Sequence, residues 1–293
     1  MLGKQDRIIN RIAHIILIIS SISCAVPFLV MLVASVTDET YLTVNGYSLL
    51  PKAFSLEAYE YLFRQGEMIM NAYGITFLVT FVGTVISMII TCLLAYPLSM
   101  NNLPGKKIIS FFVVFAMLFN GGLVPTYIMY TQYLGMKNSL MALVIPGLML
   151  RVFNVLLVRS YFVSSVPAEL IEAGRIDGAG EYKILWKIVM PLAKPILATI
   201  GLMTGLNYWN DWYNGLIYIS DEKLYSLQVL LNSILKNVQF LASTDVGATI
   251  TTPLPSTSVR MAIAAIAVIP ILIIYPFTQK YLVKGIAMGA VKG

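Results

Sequence analysis

Of 293 residues, 58% are hydrophobic and only 12% are charged, with a mean hydropathy of +0.80. A soluble core cannot use so much apolar surface, so the chain reads as an all-α polytopic membrane protein. The net charge of +6 is not set in a polar stretch interleaved with aromatics; this argues against nucleic-acid binding and leaves placement at membrane ends as its explanation.

Crossing roughly 30 Å of hydrocarbon takes about 20 apolar residues. Six runs qualify, about 12–36, 72–99, 108–131, 140–163, 193–216 and 260–283, within one transmembrane domain over 1–293. The first follows Lys4, Arg7 and Arg11 as a secretion signal would, but continues through Val36 without a small-x-small cleavage site, and so reads as a retained helix. His14 at its edge has no catalytic partner in sequence. Cys24 and Cys92 sit in the first two runs without ligand spacing. They are expected to be buried packing residues, with no disulfide and no metal site. In the third run Asn120-Gly121-Gly122 and Pro125 predict a break or bend near its outer end. Pro27, Pro97, Pro146 and Pro270 are expected as tolerated kinks in the other spans.

The fourth run places Arg151 near its middle, where a charge costs at least ~2.5–3.5 kcal/mol on insertion scales. Such a group faces the bundle interior or an aqueous path. Two partners stand open: Asp211, or a carboxylate or sulfate on a substrate. Arg159, two turns on, reads as a snorkelling anchor.

Between the fourth and fifth runs lies a polar segment, about 166–192, with its own amphipathic order. Ile171, Ile184, Leu185 and Ile188 can line one face, with Glu181, Lys183 and Lys187 towards water. Gly178 to Gly180 permit a sharp bend between two short helices. Spacing alone leaves open an interfacial connecting helix or one pressed into a partner's groove. Late in the fifth run, Tyr208, Trp209, Asn210, Asp211, Trp212 and Asn214 gather aromatic faces and planar hydrogen-bonding groups. That composition suits a sugar, and it also suits an interfacial aromatic belt. Asp211, in the outer half of the span, calls for a partner or a water-filled cavity.

Lys and Arg set the orientation. Lys4, Arg7, Arg11, Lys106, Lys107, Arg175, Lys183, Lys187, Lys194, Lys280, Lys284 and Lys292 share one set of ends. The opposite ends hold Lys52, Arg64, Lys137, Lys223, Lys236 and Arg260, diluted by acidic residues. Both termini and the 166–192 segment are therefore expected in the cytoplasm.

The stretch Glu172–Leu192, EAGRIDGAGEYKILWKIVMPL, resembles the EAA loop of ABC importer permeases: E-A-A, three residues, G, nine residues, I, one residue, L-P. Glu172, Ala173, Gly178, Ile188 and Pro191 fall on the pattern in register. Gly174 replaces the second Ala, which costs a helix roughly 1 kcal/mol, and Met190 replaces the Leu at similar volume. The ending Tyr281–Gly293 is similar to that of the maltose-type carbohydrate permeases, Asn207–Asn214 resembles their Trp-Asn-acidic stretch, and Phe119–Tyr127 resembles the branch handling complex oligosaccharides or polysaccharide fragments.

The resemblance covers nearly the whole chain. It implies the membrane-spanning subunit of an ATP-driven carbohydrate importer in a bacterial cell membrane, with a second homologous permease, an ATPase dimer and an extracytoplasmic solute-binding protein as partners. It implies ATPase coupling through Glu172, Ala173, Gly174, Asp177, Gly178, Ile188 and Pro191, and ATPase contact through the tail residues Val291, Lys292 and Gly293. The candidate substrate path is Arg151 with Tyr208, Trp209, Asn210, Asp211 and Trp212. The chain itself is expected to bind no cofactor. ATP and Mg belong to the partners, since no Gly-x-x-x-x-Gly-Lys-Ser/Thr loop occurs here. The same machinery for another solute, such as amino acids or phosphonates, is the alternative. One peripheral His argues against a membrane enzyme.

Overall fold

The computed structural model describes residues 4–50, 52–243 and 256–290. In order they form α1 (Lys4–Ser35), α2 (Glu39–Asn45), α3 (Glu57–Phe63), α4 (Gly66–Ser99), α5 (Lys106–Leu118), α6 (Leu123–Ile128), α7 (Met141–Val144) and α8 (Val152–Ser165). There follow α9 (Ala168–Ile176), α10 (Glu181–Ile184), α11 (Met190–Leu192), α12 (Lys194–Trp209), α13 (Tyr213–Tyr218), α14 (Leu227–Ser243) and α15 (Ser256–Ala290). Short π-helical turns cover Met129–Tyr133 and Leu185–Val189. Among the described residues there are no strands, only one isolated bridge between Thr37 and Phe54.

Three helical stretches among the described residues are long and apolar enough to cross a bilayer: Ile9–Ser35, Gly66–Ser99 and Thr257–Ile274. Two sharply bent pairs raise that to five. The third run breaks where Asn120-Gly-Gly predicts, and the helices on either side meet at 112°. Gly122 takes φ +84, a conformation open to glycine, and Pro125 falls in the first turn of α6, where a missing N–H leaves no bond unmade.

The fourth run departs from expectation. In place of one helix over 140–163 the chain makes the single turn α7, an irregular stretch over 145–151, and the 14-residue α8. At 1.5 Å per residue α8 reaches about 21 Å, short of the hydrocarbon thickness. Pro146 cannot continue the helix, and Gly147 at φ +70 turns the chain away from it. The fifth run is also interrupted: α12 stops at Trp209 and α13 starts at Tyr213.

The described residues gather into two compact units, Met1–Glu67 with Leu231–Ile271, and Met68–Leu230 with Leu272–Gly293. In the first, Tyr59 and Ser35 share a 2.9 Å hydroxyl contact, and Glu39 receives the start of α15. Its carboxylate accepts from the Thr257 and Ser258 amides, each at 2.8 Å, and from the Ser258 hydroxyl at 2.9 Å. An acidic group on free N–H groups at a helix N-terminus is favourable through both hydrogen bonding and the helix dipole. Burial pushes the Glu39 carboxyl up, but these donors outweigh it and hold the group below its ordinary value.

In the second unit a core forms from Ala95, Tyr96 and Leu98 of α4, Val155, Val158 and Phe162 of α8, Ile184, Leu185 and Val189 of the 181–192 segment, and Ile200 of α12. Another gathers Val79, Leu143, Val144, Leu148, Tyr208 and Tyr218. Cys92 is buried, as expected, but Cys24 is exposed. Around Cys24, helix α1 is exposed almost throughout, Ile18, Ile19, Ile22 and Phe28 included.

Candidate functional site

The 166–192 segment folds as two short helices joined by a glycine turn. Helix α9 begins after Pro167 and ends at Asp177. The Ala179 amide then donates to Gly174 O at 2.9 Å, and the Gly178 amide to Arg175 O at 3.0 Å. This paired closure is a Schellman motif, and it requires the left-handed conformation that Gly178 adopts at φ +76. Space around Gly178 is open. The glycine is therefore needed for its backbone.

Gly174 has a different role. It is buried, and a Cβ built there would stand 2.9 Å from Ile188 Cδ1 and 3.4 Å from Ile184 Cγ1. The residue that departs from the E-A-A pattern thus lets α9 lie closely on the 184–188 turn. Ile184 and Leu185 are buried and Ile171 and Ile188 pack against the same core, while Lys183 and Lys187 face outward. Pro191, exposed, precedes the 87° bend into α12. Glu172, Ala173 and Asp177 line the outer side of α9 and its cap.

Ile176 is 87% exposed and Tyr182 74%, with Leu170 and Trp186 also open. Large apolar groups left open on a polar segment suit a protein-docking or membrane-contacting surface. Sequence periodicity missed them because it looked for the face that packs inward.

Glu181 faces water as expected, with its side chain about half exposed, and also has partners. Arg175 Nε donates to its Oε1 at 2.8 Å, the one ion pair within 4.0 Å among the described residues, and Tyr96 OH donates to its Oε2 at 2.5 Å. The Arg175 guanidinium lowers the Glu181 carboxyl below its ordinary range, against partial burial and with help from Tyr96. Glu181 in turn raises Arg175. The adjoining end of α4 is capped by cations. Arg159 Nε donates to Leu98 O at 2.9 Å and Lys106 Nζ to Met100 O at 2.6 Å, as the carbonyl end of a helix favours. Arg159, read from the sequence as a snorkelling anchor, caps the end of α4 here.

The broken fourth run explains much of the fifth-run cluster. Tyr208 is 2% exposed, and its hydroxyl donates to Val144 O at 2.8 Å. Asn214 Nδ2 donates to Pro146 O at 2.9 Å. Both carbonyls were freed by the break, and in hydrocarbon each needs a donor. Gly83 of α4 makes room for Tyr208: a Cβ there would stand 2.5 Å from Cζ of the ring. Trp209 is buried with its ring edge against Phe77 at 5.1 Å. Asp211 Oδ1 accepts from the Tyr213 and Asn214 amides at 3.2 Å, starting α13. Asn210 donates back to Leu206 O, while Trp212 and Tyr213 stay exposed as an edge-to-face pair.

Arg151 is not in mid-helix. It precedes α8 in extended conformation, φ −101 and ψ 108, and its guanidinium makes no hydrogen bond or ion pair among the described residues. Asp211 and Arg151 act on each other electrostatically without an ion pair within 4.0 Å. Val291, Lys292 and Gly293 lie outside the described residues.

Residues 3–288 match the family of binding-protein-dependent transport system inner membrane components. The chain is 33% identical over 291 residues to the polygalacturonan/rhamnogalacturonan transport system permease protein YtcP of Bacillus subtilis (strain 168), covering 99% of this chain and 100% of that one. It is 34% identical over 267 residues to protein LplC of the same organism, covering 91% and 89%. Among solved structures it is similar to a bacterial ABC transporter involved in the import of the acidic polysaccharide alginate. The TM-score is 0.81 at 31% identity, with 96% of this chain and 99% of that chain covered.

Proposed function

The chain belongs to the binding-protein-dependent transport system inner membrane components, and we propose that it is the permease subunit of an ATP-driven importer for oligosaccharides derived from acidic polysaccharides. The likeness to YtcP over the full length of both chains carries this reading, and the fold shared with the alginate importer supports it. Helix α9, closed by its Schellman turn and presenting Ile176 beside Glu172 and Asp177, is the part that docks on a cytoplasmic ATPase. An extracytoplasmic binding protein delivers the sugar, and a second permease completes the path. Both chain ends lie in the cytoplasm, as the Lys and Arg placement favours.

On ATP binding, closure of the ATPase pair draws α9 inward, and the spans rock to expose the path to the other side. Along that path Arg151 offers a guanidinium to a uronate carboxylate, and Trp212 with Tyr213 offers aromatic faces to sugar rings. The test is uptake by the complete assembly in proteoliposomes. ATP-dependent import of galacturonate oligomers, delivered by the binding protein, is expected. Import of amino acids or phosphonates with no oligosaccharide uptake would refute the proposal.

A further inference from the structure

We propose that Glu181 is the joint through which motion of α9 enters the long span α4, with Arg175 and Tyr96 as its two arms. The proposal rests on α9 being the ATPase-docking helix. The Gly178–Gly180 turn closes α9 through its Schellman hydrogen bonds, and Gly174 packs α9 onto Ile184 and Ile188. These contacts hold α9 to its own segment, but none of them reaches α4. Glu181 supplies a polar link that does. One carboxylate oxygen holds Arg175, on the last turn of α9, at 2.8 Å. The other holds the Tyr96 hydroxyl of α4 at 2.5 Å. The carboxylate, at the first position of α10, therefore ties the docking helix and the span together across the turn.

The position of Tyr96 gives this tie its leverage. Around it the end of α4 is gripped by Arg159 of α8 and Lys106 of α5, so a pull on Tyr96 moves a clamped group of helix ends. Further along α4, Gly83 bears on the ring of Tyr208, whose hydroxyl holds Val144 O at the break of the fourth run. Helix α4 thus connects the docking segment to the irregular backbone that α8 and Arg151 follow. The Arg175–Glu181 pair is about half exposed, at 44% and 48%, and exposed pairs add little to stability. Its loss should therefore show in transmission, with assembly retained.

The experiment uses the complete importer in proteoliposomes with Glu181→Ala, Tyr96→Phe, the double variant and Glu181→Gln. Three quantities are read: ATPase subunits retained on co-purification, substrate-stimulated ATP hydrolysis, and uptake per ATP. Retention at the unmodified level is expected for all four, with uptake per ATP reduced about fivefold or more in each of the first two, the lower end of ordinary coupling. The double variant should be no worse than Glu181→Ala, since one link is already cut. Glu181→Gln, which can still bond both arms, should recover part of the loss. Unchanged uptake per ATP in Glu181→Ala and Tyr96→Phe, losses that multiply in the double variant, or loss of ATPase subunits from Glu181→Ala would each overturn the joint. Ile176→Asp separates the two proposals. If it retains the ATPase and normal stimulation, the docking assignment of α9 fails. If it sheds the ATPase while the Glu181 and Tyr96 variants couple normally, only the joint fails.

Discussion

Replacing Gly83 with alanine tests the packing on which the broken fourth run depends. The new Cβ would stand 2.5, 2.6 and 2.8 Å from Cζ, Cε1 and Cε2 of Tyr208. Carbon atoms rest about 3.5–4.0 Å apart, so the ring must retreat by about 1 Å. It cannot do so freely, because the hydroxyl on that same Cζ donates to Val144 O at 2.8 Å and the residue is buried. Overpacking costs about 1–3 kcal/mol, and leaving a buried carbonyl without its donor costs about 1–3 kcal/mol. Alanine returns up to about 1 kcal/mol of helix propensity. The net destabilisation is about 1–6 kcal/mol.

Gly74 is the control, since it lies in the same helix with nothing within 4 Å of its would-be Cβ. Gly74→Ala should be neutral or mildly stabilising. Thermal unfolding of purified protein in nanodiscs would measure both. Tyr208→Phe alone should cost about 1–3 kcal/mol by leaving the Val144 carbonyl without its donor, and less when Gly83→Ala has already displaced the ring. Equal melting temperatures for Gly83→Ala and Gly74→Ala would refute the close approach of α4 to Tyr208.

Gly178→Ala should cost about 1–2 kcal/mol through its left-handed backbone alone. With open space around it, Gly178→Leu should lose no more stability than Gly178→Ala, but should shed ATPase subunits on co-purification. For topology, an impermeant thiol reagent applied from outside should label cysteines at Ser55 and Phe240 but not at Lys183, in a background lacking Cys24; the reverse pattern would overturn the orientation. Arg151→Gln should cut uptake of uronate oligomers far more than of neutral ones, with Arg151→Lys restoring part, because a lysine keeps the charge but not the fork. The Glu39 carboxyl is lowered on folding from an ordinary 4.5. Its contribution is therefore complete above that value and lost as pH falls through the lower folded value. Melting temperature followed from pH 7 to pH 3 should fall less steeply in Glu39→Gln than in the unmodified chain.

Much of the 166–192 segment was legible because its determinants are local. Glycines at 178 and 180, an E-A start and a Pro191 exit specify a helix, a left-handed turn and a bend within twenty residues, and the structure contains all three. The break at Asn120-Gly121-Gly122 was legible for the same reason. The fourth and fifth runs were not. Hydropathy finds apolar length, and residues 140–163 have it, yet Pro146 and Gly147 interrupt the helix because donors elsewhere accept the consequence.

The sequence by itself determined the class, the apolar runs, the basic ends and the glycine-hinged segment, since composition and backbone preference act residue by residue. Only the tertiary structure decided what the polar side chains among those runs do. Tyr208 and Asn214 have the chemistry of sugar ligands, but they hold the carbonyls of Val144 and Pro146, 64 and 68 positions away. Glu181 is the half-exposed charge its sequence suggests, and it also bridges Arg175 and Tyr96, the latter 85 positions away. In a medium without water every freed backbone group must find a protein partner. That partner is chosen by proximity in space, which no local pattern encodes.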